Sequence, residues 1–118
     1  MRSGLMAVLL CVASMTAFAA DITGKWEFNV ETGAGAGSPS FVFKQTGEKL
    51  AGTYTGTFGT AELTGTVKGD AVEFSFEASV ADQKGMVVYK GKIESDTKMK
   101  GSVDLAGLAS GTWTGTKK

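Results

Sequence analysis

From Lys49 to Val80 apolar and polar side chains alternate with a period of two, and this pattern constrains the chain more than any other feature. Val72, Phe74, Phe76, Ala78 and Val80 fall on one parity, with Glu73, Ser75, Glu77 and Ser79 on the other. Leu63, Gly65 and Val67 alternate in the same way with Glu62, Thr64, Thr66 and Lys68, and Leu50, Gly52, Tyr54, Gly56 and Phe58 with Ala51, Thr53, Thr55 and Thr57. Successive side chains of an extended chain point to opposite faces of the pleat, so the stretch reads as three half-buried strands. A helix cannot satisfy the pattern. Gly59-Thr60 and Gly69-Asp70 read as two-residue hairpin loops with glycine first, the chemistry of a type II′ turn. With these loops setting the register, Tyr54 faces Gly65 and Gly65 faces Phe74. A small residue between two rings lets a narrow barrel curl without empty space.

The same grammar extends in both directions. Trp26, Phe28 and Val30 point one way and Glu27, Asn29 and Glu31 the other. Thr32 to Pro39, rich in glycine and alanine, reads as a flexible loop. Phe41 and Phe43 face inward before a turn at Thr46-Gly47-Glu48. After a polar turn from Ala81 to Gly85, the inward set continues with Val87, Tyr89, Gly91 and Ile93. Ser95-Asp96-Thr97 reads as a three-residue hairpin loop, followed by Met99, Gly101, Val103 and Leu105 facing in. The last strand, Ser110 to Thr116, places Gly111, Trp113 and Gly115 on one face, with Gly101 opposite Trp113. The expectation is an all-β chain whose eight antiparallel strands close into an up-and-down, calycin-like barrel, because closure removes the unpaired edges. A two-layer β-sandwich is the alternative that the same pattern allows.

Residues 1–20 read differently. Met1-Arg2 gives a positive start, Leu5 to Val12 an apolar run, and Ala17-Phe18-Ala19 a small-x-small site, the features of a cleaved secretory signal peptide too short for a membrane anchor. Cys11 is the single cysteine and belongs to that segment. Residues 21–118 then form one β-barrel domain with no cysteine, histidine or arginine, and no integral membrane segment is expected in it. The compartment implied is periplasmic or secreted. Lysine plus arginine equals aspartate plus glutamate, at 12 each, so no basic field invites nucleic acid.

Two resemblances follow from short motifs. Gly24-x-Trp26, Leu50-x-Gly52-Thr53-Tyr54 and Leu63-Thr64-Gly65 resemble the avidin and streptavidin arrangement within the calycin group. Tyr54 falls where that family keeps a biotin-contacting tyrosine. Phe28 stands in place of its asparagine, so the resemblance implies the barrel and does not carry biotin binding with it. Across residues 21–118, GKWEF, FKQTGEKLAGTYTG, LTGTVKGD, EFSFEA, MKGSVDLAG and ASGTWTG resemble a small exported bacterial β-domain that also occurs at the C-terminal end of secreted amidohydrolases. That resemblance implies an exported module and transfers no activity.

Catalytic chemistry finds little support. Without histidine or cysteine after residue 20, the usual general base and thiol nucleophile are missing, and no metal site or cofactor is expected. Asp70, Asp82 and Asp96 fall in turns, where aspartate serves the backbone. Glu73 and Glu77 lie on an outward face beside Lys90 and Lys92 of the next strand, which reads as a cross-strand charge ladder. The inward aromatics fill a core, and those near an open end would line an apolar pocket. Trp26, Tyr54, Tyr89 and Trp113 are the candidate ligand-binding residues. The chain thus reads as a non-catalytic exported barrel binding a small hydrophobic or aromatic molecule at one mouth. The alternative is a structural module with a fully plugged core, contacting an unidentified periplasmic protein.

Overall fold

The computed structural model describes residues 20–118 except 34 and 81, so the expected leader, Cys11 included, lies outside the described residues apart from Ala20. Among the described residues nine strands form one antiparallel sheet: β1 (Gly24–Thr32), β2 (Gly35–Gly37), β3 (Ser40–Thr46), β4 (Lys49–Gly56), β5 (Gly59–Lys68), β6 (Ala71–Val80), β7 (Gln83–Ser95), β8 (Lys98–Leu105) and β9 (Ala109–Lys117). From β3 to β9 each strand pairs with its successor, β3 pairs with β1, and β9 pairs back onto β1 from Trp26↔Lys117 to Thr32↔Gly111. The sheet is therefore a closed eight-stranded barrel, with β2 a short ninth strand at its side, and the sandwich alternative is excluded.

The alternation does the work expected of it. Each inward aromatic read from the sequence is buried, and the described residues include no buried polar or charged residue by side-chain class other than the tyrosines. Phe28 packs at the centre, its ring stacked on Trp113 at 4.4 Å and 5° and tilted against Phe41 at 4.4 Å. Burying such rings contributes roughly 2–3 kcal/mol each, and their edge-to-face neighbours add to that. Gly91 faces Gly101, and Gly101 faces Trp113 as expected. A Cβ on Gly91 would lie 2.5 Å from the indole, so that glycine makes room for the ring, while one on Gly101 would meet the Lys90 carbonyl.

Four local readings need correction. The β4–β5 turn is Thr57-Phe58, not Gly59-Thr60, so Tyr54 faces Ala61, and Gly65 sits between Leu50 and Phe74. The Tyr54 hydroxyl accepts the Phe58 N–H at 3.2 Å and holds the turn there, while Gly59 supplies the positive φ of 95° just past it. The β7–β8 turn has two residues, Asp96-Thr97, because an irregularity between Ile93 and Ser95 absorbs the third. The glycine-rich stretch after Thr32 is not simply a loop: Gly35–Gly37 pairs with Val30–Thr32, and Pro39 is buried. The charge ladder is also partial. Glu73 stands opposite Lys90, but Glu77 faces Met86, and Lys92 pairs with Asp70 at 3.7 Å.

The two ends of the barrel differ. At one end residues 20–23 cross the opening: Gln45 accepts the Ile22 N–H at 3.0 Å and donates to the Ala20 carbonyl at 2.8 Å, and Ile22 is 1% exposed. That end is sealed. At the other, the upper half of β1 leaves β3 and pairs with β2, and the β5–β6 ladder stops at Thr64↔Ser75. Above that pair, Gly59–Leu63 and Phe76–Val80 share no ladder among the described residues, so the wall is split.

Candidate functional site

Because inward residues alternate along every strand, height in the barrel decides which of them meet. The register brings the last buried residues of β1, β4, β6 and β8, namely Val30, Tyr54, Val80 and Leu105, to the unsealed end. There they surround a cavity of about 230 Å³, walled on one side by Gly35–Gly37 and Pro39 and at the rim by Thr57 and Phe58. The wall of β2 can lie close across the mouth because its residues are only glycine and alanine. Tyr89 lines the inner part.

The two tyrosines are differently held. Tyr54 stacks on Phe76 at 4.3 Å, and its oxygen is engaged by the Phe58 N–H. Tyr89 stacks on Phe74 at 5.0 Å and 7°, and is 3% exposed. Its hydroxyl has no hydrogen-bond partner among the described residues. A buried hydroxyl without a partner costs about 1–3 kcal/mol, so this one is poised to gain from a polar atom entering the cavity. Burial pushes both phenols above tyrosine's ordinary range; at Tyr89 the charge of an ionised Tyr54 would add to the same direction, while at Tyr54 the Phe58 N–H partly offsets the shift. Both are therefore neutral donors at physiological pH and unsuited to act as bases.

The structure divides the residues singled out from the sequence. Tyr54 and Tyr89 meet at the cavity. Trp26 stands at the sealed end, where its Nε1–H donates to the Ile22 carbonyl at 2.9 Å. Trp113 is part of the packed wall, its Nε1–H donating to the Ser102 carbonyl at 2.8 Å. Neither indole lines the cavity, so of the four residues the structure brings the two tyrosines together there and leaves the two tryptophans apart. Alternation alone did not single out Val30, Val80, Leu105 and the β2 wall, because it separates inside from outside but not one end from the other. Counting positions from each turn would have found the three apolar residues, but not the β2 wall, which is a strand only through its pairing with Val30–Thr32. The cavity's polar groups are hydroxyls of tyrosine and threonine, with no ionisable carboxylate or ammonium in its lining.

An eight-stranded antiparallel barrel with a packed base and one small apolar mouth is the class that fold and site define. No protein-family model matches the chain, and no curated protein is significantly similar to it. Among solved structures, the redesigned β-barrel b11L5F_LGL superposes with a TM-score of 0.68 at 15% identity, covering 82% of this chain and 91% of its own. The redesigned β-barrel mFAP1, bound to DFHBI, superposes with a TM-score of 0.63 at 13% identity, covering 82% of this chain and 94% of its own. At such identities the likeness is one of fold.

Proposed function

We propose that this protein is a non-catalytic exported barrel, periplasmic or secreted, that binds a small hydrophobic or aromatic molecule at its open mouth. The observation that carries the reading is the unpartnered, buried Tyr89 hydroxyl lining a mainly apolar cavity. The volume, about 230 Å³, lies below the roughly 300–1,000 Å³ of sites for drug-sized ligands but above the about 150 Å³ of an engineered apolar cavity that takes up benzene. It suits one substituted ring carrying a single polar atom for Tyr89. That mFAP1 holds DFHBI in a barrel of the same fold supports this use of the architecture. The resemblance to exported β-modules of secreted amidohydrolases supports the compartment.

The test is a titration with 2-phenylethanol followed by methyl and amide NMR. Saturable shifts at Val30, Val80 and Leu105, with Ile22 and Trp26 unmoved, are expected. Val80→Phe, which places a ring in the cavity, should abolish them while the folded spectrum persists. Linear or absent shifts up to the solubility limit, together with a bare mass in native mass spectrometry of protein taken from its own compartment, would refute the proposal.

A further inference from the structure

Charge is distributed unevenly along the barrel axis. Glu31 pairs with Ala36 on the cavity wall, Asp82 occupies the β6–β7 turn, and Asp104 sits one residue before the cavity's Leu105. Glu62 and Glu77 lie on the unladdered halves of β5 and β6, on either side of the split. All are exposed, and among the described residues Lys84 is the cation that shares their end. At the sealed end Lys49, Lys68, Lys98 and Lys117 begin or finish strands, and Asp21, Glu48, Asp70 and Asp96 lie beside them, so the two signs balance there. The chain's overall neutrality therefore conceals a mouth more negative than the base.

We infer that the mouth selects amphiphilic cations, a ring entering between Tyr54 and Tyr89 while an ammonium group stays at the carboxylate rim. This rests on the pocket reading above and adds the ligand's charge to it. The cavity lining offers a cation no ionised partner, so the ammonium stays hydrated outside and the ring alone is desolvated, which avoids the cost of burying a charge. The half-buried phenyl of Phe58 at the rim adds attraction for a cation passing over it. An anion of the same shape meets like charge on every side but that of Lys84. The unpartnered Tyr89 hydroxyl is the second observation that points to a ligand here, independent of the rim.

Three probes sharing one ring separate the ideas: 2-phenylethylamine, 2-phenylethanol and phenylacetate, titrated calorimetrically into the purified protein at pH 7. The expected order is amine tightest, alcohol next and acid weakest. The amine should lead the acid by roughly tenfold at low salt, with the gap closing to about twofold at 0.3 M salt as the rim is screened. In E31Q/E62Q/D82N the amine and acid should converge on the alcohol, whose own affinity stays unchanged. Asn is chosen at position 82 because the backbone there is left-handed, with φ of 67°, which asparagine tolerates. Equal affinity for all three, or tightest binding of the acid, would overturn the charge selection while leaving the pocket standing. Failure of all three to bind would overturn both.

Discussion

At the scale of single residues, the most telling side chain is Tyr89, because its stability and its use pull in opposite directions. Removing an oxygen that has no partner should not harm the fold: Tyr89→Phe is expected to leave the protein as stable or more stable by about 1 kcal/mol in urea unfolding. The same change should weaken 2-phenylethanol binding by about tenfold, and equal binding by the variant would show that the hydroxyl takes no part. The glycine opposite Trp113 behaves in the contrary sense. A Cβ on Gly101 would collide with the Lys90 carbonyl, so Gly101→Ala should cost about 1–3 kcal/mol, read from the shift of the denaturation midpoint at constant slope. The burial of every inward aromatic was legible from parity alone. The partner of Tyr54 was not: the loop lies two residues earlier than Gly59-Thr60, held by a phenol-to-backbone hydrogen bond that alternation does not encode. The slip changes partners by an even number of residues, so it leaves every face assignment intact.

At the scale of elements, the two features that make the site both lie where strands part company. The upper half of β1 abandons β3 for β2, and β5 separates from β6 above Thr64↔Ser75. Strand existence was readable because each run is long and regular. The short β2 was not, since Gly35-Ala36-Gly37 has no apolar alternation and becomes a strand only by pairing with Val30–Thr32. The wall of the cavity was therefore hidden in what reads as a loop, while Tyr54 and Tyr89 were in view from the start. The split has a direct signature. Amides of Gly59–Leu63 and Phe76–Val80 that face the gap should exchange with solvent markedly faster than those within the ladder from Thr64↔Ser75 to Lys68↔Ala71. Uniform protection along both strands in NMR hydrogen exchange would mean that the wall is continuous in solution.

For the whole molecule, the lack of histidine and cysteine beyond residue 20 sets the response to pH. No side chain there ordinarily titrates between the carboxylates and the alkaline groups. Stability should accordingly be flat from about pH 6 to 9. Both buried tyrosines hold their protons more tightly folded than unfolded. Above about pH 10 the unfolded chain thus releases protons that the native state keeps, and stability falls as pH rises. A urea midpoint constant across the plateau and dropping beyond pH 10 is the expected result, and a slope between pH 6 and 8 would contradict it. The exposed ion pairs, such as Glu27–Lys118 at 3.3 Å, add little to this balance.

The ladder from Trp26↔Lys117 to Thr32↔Gly111 is reinforced where the Lys118 N–H donates to the Lys25 carbonyl at 2.9 Å, so the first and last strands lie side by side. A ring of strands has no privileged beginning. Joining residue 118 to residue 20 through a short glycine-serine linker, and opening the chain instead at the exposed Asp96-Thr97 turn, should give a circular permutant with the same barrel and the same mouth. In that permutant β1–β9 becomes a local hairpin and β7–β8 becomes the pairing that must be closed from opposite ends of the chain. The seam that folding has to find is thus a property of where the backbone is cut, and can be moved without touching a residue of the cavity.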